Sequence, residues 1–249
     1  MSVGAVLGAL VGVGAMYVGA RPFVFARRRH EAKLADDEFE RRLLELRDAA
    51  AGDFAWRAAG HRDAADVSTL DLVRADDAAL LANGFRRLGE LVYSGRTRAV
   101  ARVYVDAAGT TCAQLIALRA RGIVTLTSFA AGGRVSTSRG PSPRLASPPG
   151  SHFAQYRIDL PIPQLVEAHD RAVRTYSITA APIASLDQVV AAMMQRHDAA
   201  RAWRETHPPD VLLEADLRSL LGPRYDQIGE HWLRRLRSGI PKATLRRTS

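Results

Sequence analysis

His169 and His197 are the residues whose type and placement best suit chemistry. The chain holds seven histidines in 249 residues, and these two fall on the apolar faces of segments with helical periodicity. An imidazole titrates near neutrality, so one facing a cleft can act as a general base and two can share a metal ion. A two-histidine metal site wants a carboxylate as a further ligand. The neighbouring acids, Glu167 and Asp198, point away from the apolar stripe at their spacing. The competing reading makes both histidines half-buried core residues bonded to backbone or hydroxyl oxygen. It implies neither a metal nor a cofactor.

Other reactive residues are less promising. Cys112 is the single cysteine, which excludes an internal disulfide and a cysteine-based zinc cluster and fits a reducing compartment. No basic residue adjoins it to lower its pKa, so it reads as a small core residue. The chain lacks a G-x-S-x-G elbow, an H-E-x-x-H pair and an EF-hand loop. The glycine-rich GVGAMYVG precedes no strand–helix unit and lacks the phosphate-loop lysine. Arg86 and Arg87, with Arg96 and Arg98, flank a strand pattern and suit either an anion site or a sheet edge blunted by charge. Trp56, Trp203 and Trp232 are too scattered for base stacking.

These residues are carried on an α+β pattern. Residues 31–51 have Leu34, Phe39, Leu43 and Leu46 at helical spacing, and 52–67 are weakly patterned, so 31–67 reads as a stalk or linker. A short helix ends at Asn83-Gly84, where glycine suits the left-handed closing position. From about 86 to 159 the period changes to alternation broken by glycine turns at 107–109 and 131–133. Five or six strands in an antiparallel meander follow from it. Ser138 to Gly150 holds four prolines and reads as an exposed, extended loop. The last third is helical, with Ser185 and Gln188 forming a capping-box pattern. Strands followed by helices imply helices packed on one face of the sheet.

The N-terminus carries the most specific signal. Val3 to Ala20 is a run of eighteen residues without a charge, which as a helix spans about 27 Å against a hydrocarbon core of about 30 Å. Arg21, Arg27, Arg28, Arg29 and Lys33 all follow it, on the side that stays cytoplasmic. A cleavable signal peptide and a buried core helix are the alternatives, but the two residues before the run carry no side-chain charge. Gly4, Gly8 and Gly12 line one helical face, a small-xxx-small pattern that suits self-association.

Charge is concentrated at the ends. Of a formal net charge of +9, residues 1–33 carry +4 and residues 234–249 carry +6, leaving −1 for the body between. A nucleic-acid-binding domain would bear a basic stripe on its folded face, so the charge distribution argues against that partner. Arg234, Arg235 and Arg237 instead suit contact with an anionic inner leaflet. Of the 35 basic residues two are lysine, so an arginine-rich composition bias also explains the tail. The expected organisation is an anchor with a basic flank at 1–30, a stalk at 31–67, an α+β domain at 68–207, and C-terminal helices with a basic tail at 208–249. The expected function is that of a single-pass membrane protein. Its N-terminus lies outside, and its cytoplasmic domain acts in interaction or sensing with the bilayer and a protein partner. A tethered hydrolase-like enzyme using His169 or His197, or a small-molecule or lipid binder, are the rivals.

Overall fold

The computed structural model describes residues 37–239, apart from 42, 49, 54, 95–98, 119–120, 132 and 141–144. The chain divides into two compact units between Asp48 and Ala49. In the first unit, helix α1 takes in 37–41 and 43–48. Its surface is laced by Arg41, which pairs with Glu38 at 2.7 Å and with Glu45 at 2.5 Å. These are the i,i+3 and i,i+4 spacings that stabilise an exposed helix modestly. Val3 to Ala20 and Arg27 to Arg29 lie outside the described residues. So do the expected self-association face at Gly4, Gly8 and Gly12 and the tail beyond Gly239. Among the described residues no helix is long and apolar enough to cross a membrane.

The second unit is built on a seven-stranded sheet in the order β1-β2-β3-β4-β5-β6-β7. The strands are β1 (Trp56–Ala58), β2 (Arg86–Tyr93), β3 (Ala99–Val105), β4 (Cys112–Leu118), β5 (Arg121–Ala130), β6 (Gly133–Arg139) and β7 (Ser151–Tyr156). Helix α2 (Ala64–Val67), a 3₁₀ segment (Ser68–Val73) and α3 (Arg74–Ala82) connect β1 to β2. After β7 come α4 (Ile162–Thr175), α5 (Leu186–Glu205), α6 (Pro209–Leu221) and α7 (Tyr225–Gly239). The α+β class and the C-terminal helices are as the pattern implies. The segment expected as linker supplies β1, paired to β2 from Trp56↔Tyr93 to Ala58↔Leu91.

Two details of the expected meander are corrected. The last pair, β6 and β7, is parallel. A parallel pair needs a connection that returns along the full strand. Residues 140–150, if extended, reach about 36 Å, more than the about 23 Å of a seven-residue strand. The proline-rich stretch is therefore the return path, and of its described residues, 145–148 and 150 are half-buried while Pro149 is exposed. Second, helices cover both faces of the sheet. On one face Tyr104, Leu115, Val124 and Leu126 pack on Val73, Leu80, Ile162 and Leu165 from the 3₁₀ segment, α3 and α4. On the other, Leu91, Val103, Val105 and Cys112 pack on Ile183, just before α5, and on Val189, with Met193 of α5 against them. From Val100 to Val105 every residue of β3 is buried. A strand buried on both sides loses the clean alternation that marks a one-sided sheet.

Local signals set the element ends. Ser185 caps α5 by accepting the Gln188 backbone N–H at 3.3 Å, while Gln188 Oε1 accepts the Ala184 N–H at 2.6 Å. At the β3–β4 turn, Asp106 Oδ1 accepts the N–H groups of Thr110 and Thr111 at 2.7 and 2.9 Å. The return path meets β6 where Gly133 faces Gly150. A Cβ on Gly133 would lie 2.0 Å from the Gly150 carbonyl oxygen, and that oxygen accepts the Arg134 N–H at 3.0 Å. A side chain at 133 therefore forces two backbones apart. Gly133→Ala is expected to lower stability by about 1–3 kcal/mol, the usual cost of overpacking. Urea denaturation measures it, and a midpoint equal to the wild type would contradict the close approach.

Candidate functional site

His169 sits on α4 and is buried against β5 and β6. Its Nε2 lies 3.0 Å from Ser128 Oγ and its Nδ1 lies 3.1 Å from Thr137 Oγ1. Ser128 Oγ is in turn 3.2 Å from Thr111 Oγ1. The strands supply this cradle because Ser128 and Thr137 belong to neighbouring paired strands with both side chains turned toward α4. A serine bonded to a histidine resembles a nucleophile and its base. Here, however, no carboxylate orients the ring, and both residues are 1% exposed. Burial pushes the imidazole pKa down to about 4, with Asp106 opposing weakly. A neutral ring with both nitrogens bonded is held as a cross-link between α4 and the sheet.

His197 lies on α5, which packs on the opposite sheet face from α4, so the two histidines are not brought together. Its Nε2 is 2.8 Å from the Gly52 carbonyl oxygen. Cys112 is buried, and burial pushes its thiol up to about 12, so the thiolate nucleophile is disfavoured. Among the described residues no group of three or more His, Cys, Asp or Glu side chains is arranged to hold a metal ion.

The densest polar constellation centres on Asp76 and Asp77, neighbours in the first turn of α3. Asp77 Oδ2 accepts from Arg102 at 2.6 Å and from Arg87 at 2.8 Å, and its Oδ1 accepts the Tyr104 hydroxyl at 2.7 Å. Arg102 Nε also donates to Glu90 at 3.1 Å. Burial alone would raise the Asp77 pKa. The Tyr104 hydrogen bond and the charges of Arg87 and Arg102 outweigh it, and the net shift is downward. Burial and the adjacent carboxylate push the Tyr104 phenol well above its ordinary range. Asp76 accepts the Gly122 N–H at 3.0 Å and pairs with the guanidinium of Arg139. Arg139 also donates to the Leu160 carbonyl at 2.9 Å.

These contacts answer the expectation of an anion site at Arg86 and Arg87. Arg87 is committed to Asp77, and Arg86 donates to the Ala184 carbonyl at 3.2 Å. Arg96 and Arg98 lie outside the described residues. Of the C-terminal basic residues, Arg234 and Arg237 are exposed on α7, while Arg235 lies 5.5 Å over the Trp232 ring.

Two small adjoining clefts open where β6 and β7 begin. One, about 270 Å³, is lined by Arg134, Ser147, Ser151, His152, Phe153 and Ser219 among others. Its neighbour, about 140 Å³, is lined by Arg134, Pro148, Pro149, Ser151 and Arg196 together with small α5 residues. Arg134 and Ser151, paired across β6 and β7, are common to both. Neither cleft is lined by an acidic residue. His152 stands as a rigid wall, stacked on Tyr176 with ring centroids 3.6 Å apart. Sequence reasoning missed this place. The available signal was an arginine in strand alternation with Ser136 and Ser138, directly after a glycine pair.

No family model, no curated protein and no solved structure matches the chain.

The His169 cradle has a measurable consequence. Its folded pKa lies below the unfolded value of about 6.5, so the unfolded chain binds the extra proton between the two. The stabilisation it represents is full above pH 6.5 and is lost as pH falls toward 4. Denaturant unfolding at pH 7 and pH 5 should show a loss on the order of 2 kcal/mol that His169→Gln removes. An equal loss in that variant would contradict the assignment.

Proposed function

We propose that the chain is a membrane-tethered binding module. Its N-terminal span holds an α+β domain at the cytoplasmic face, where the domain acts in interaction or sensing rather than catalysis. The observation that carries this reading is the uncharged run Val3 to Ala20 followed by Arg27, Arg28 and Arg29. Apolar side chains favour hydrocarbon, and the trailing arginines hold their end in the cytoplasm. The packing of the second unit supports the non-catalytic part. His169, Cys112 and Asp77 are each committed to the scaffold, by hydroxyls, by apolar neighbours and by arginines respectively.

In this reading the exposed Arg234 and Arg237 add attraction to an anionic leaflet, each worth about 1 kcal/mol when near the surface. Gly4, Gly8 and Gly12 would let two anchors pack closely within the bilayer. The domain would then be presented to a protein partner as a pair.

Fractionation of the full-length protein with a C-terminal tag tests the tether. The wild type should remain with membranes through an alkaline carbonate wash, its tag shielded from protease in sealed inside-in cells. Val11→Arg combined with Val13→Arg places charge at the bilayer centre at a cost of about 2.5–3.5 kcal/mol each, and should release the protein to the soluble fraction. A wild type that washes off in plain buffer would overturn the reading.

A further inference from the structure

We propose that the paired clefts at the start of β6 and β7 form a binding site for a phosphate-type oxyanion, with the Arg134 guanidinium as its principal ligand. The proposal stands on the folded domain alone and does not depend on the membrane tether.

Each buried arginine or aspartate described above has an opposite charge against it. Arg134 does not. It is half-buried, and no carboxylate among the described residues pairs with its guanidinium. Its nearest charged influence is a second arginine. Burial, and then the charge of Arg196, both push its pKa down. An arginine is nonetheless ionised at neutral pH. A half-buried cation without a carboxylate partner and beside a like charge is unfavourable to the fold. An anion bound between Arg134 and Arg196 relieves both terms together.

The geometry favours an oxyanion of small size. Arg196 spends part of its guanidinium on the Ala130 and Ala131 carbonyls, the latter at 3.1 Å, which fixes it over the β5–β6 turn. Arg134 is fixed at its backbone by the Gly133–Gly150 approach and presents a planar fork suited to bidentate contact. Ser151 lines both clefts, while Ser147 and Ser219 line the larger one. Two guanidinium groups with Ser151 beside them offer more donors than a carboxylate accepts and match a tetrahedral phosphoryl group. The volumes of about 270 and 140 Å³ fall below the roughly 300–1,000 Å³ of sites for drug-sized ligands. The occupant is therefore the phosphate itself, free or as the headgroup end of a lipid. Asp216, on the helix that carries Ser219, is held by Arg204 at 2.7 Å and by the Ala146 N–H at 3.0 Å.

The test uses the full-length protein in detergent, titrated with inorganic phosphate against potassium chloride at matched ionic strength. Binding is read by calorimetry and by the melting temperature. A second arm measures capture by vesicles of phosphatidylcholine with and without phosphatidic acid. Arg134→Met keeps the volume and removes the charge, and Arg134→Lys keeps the charge and removes the fork. Phosphate should raise the wild-type melting temperature, with affinity at least tenfold weaker in Arg134→Lys and no response in Arg134→Met. Without phosphate, Arg134→Met should melt at or above the wild type, because an uncompensated charge has gone. Loss of capture by phosphatidic-acid vesicles in Arg134→Met, without a response to free phosphate, assigns the phosphoryl group to a lipid. A wild type that responds in neither arm, or an Arg134→Met protein that responds as the wild type does, overturns the proposal.

Discussion

Buried charge in this domain is held by aspartates that each accept from an arginine and from a second, neutral donor. Asp77 accepts from Arg87, Arg102 and the Tyr104 hydroxyl. Asp76 pairs with Arg139 and accepts the Gly122 N–H. Asp216 takes Arg204 in a two-pronged pair at 2.8 and 2.7 Å and the Ala146 N–H. Asp63 takes Arg57 the same way, both at 2.8 Å, and the Gly60 N–H. Such pairs add little net stability over apolar packing, but each is strongly destabilising to break. Their effect is positional. Asp76 and Asp77 fix α3 to four strands of the sheet, and Asp216 fixes α6 to α5 and to the return path between β6 and β7. The clefts lie at the end of that path, so their shape depends on the same pairs.

Much of the architecture is legible in the residues. Glycine turns, alternation in β3 to β6 and the Ser185 cap are local features, and local features survive folding. The parallel β7 and the helices on both faces are not local. Ser151 to Tyr156 looks alike whether it runs parallel or antiparallel, and the length of residues 140–150 permits the parallel return. The two-sided burial of β3 shows in the apolar run AVARVYV, where Arg102 disguises a core strand as a half-exposed one. That arginine is 6% exposed because Asp77 and Glu90 hold it.

The site was harder to see for a related reason. Asp76-Asp77 at a helix start looks like a complement to the helix dipole, and its true partners stand 10 to 63 positions away. Arg87 looked available for an anion because Asp77 was invisible as its partner. Arg134 looked ordinary because the absence of a partner is a property of three-dimensional packing. His169 was legible as a residue on an apolar face, and its hydroxyl partners came from β5 and β6. The histidine, the thiol and the paired acids serve the scaffold.

The account rests on Asp77 and Arg102 acting as one unit. A double-mutant cycle with Asp77→Asn and Arg102→Met, read by urea denaturation, measures this directly. Each single variant should lose on the order of 3 kcal/mol, because each leaves a buried polar group unmatched. The double variant should lose at least about 1.5 kcal/mol less than the two losses combined. Strictly additive losses would mean that the two side chains act independently, and would contradict the account.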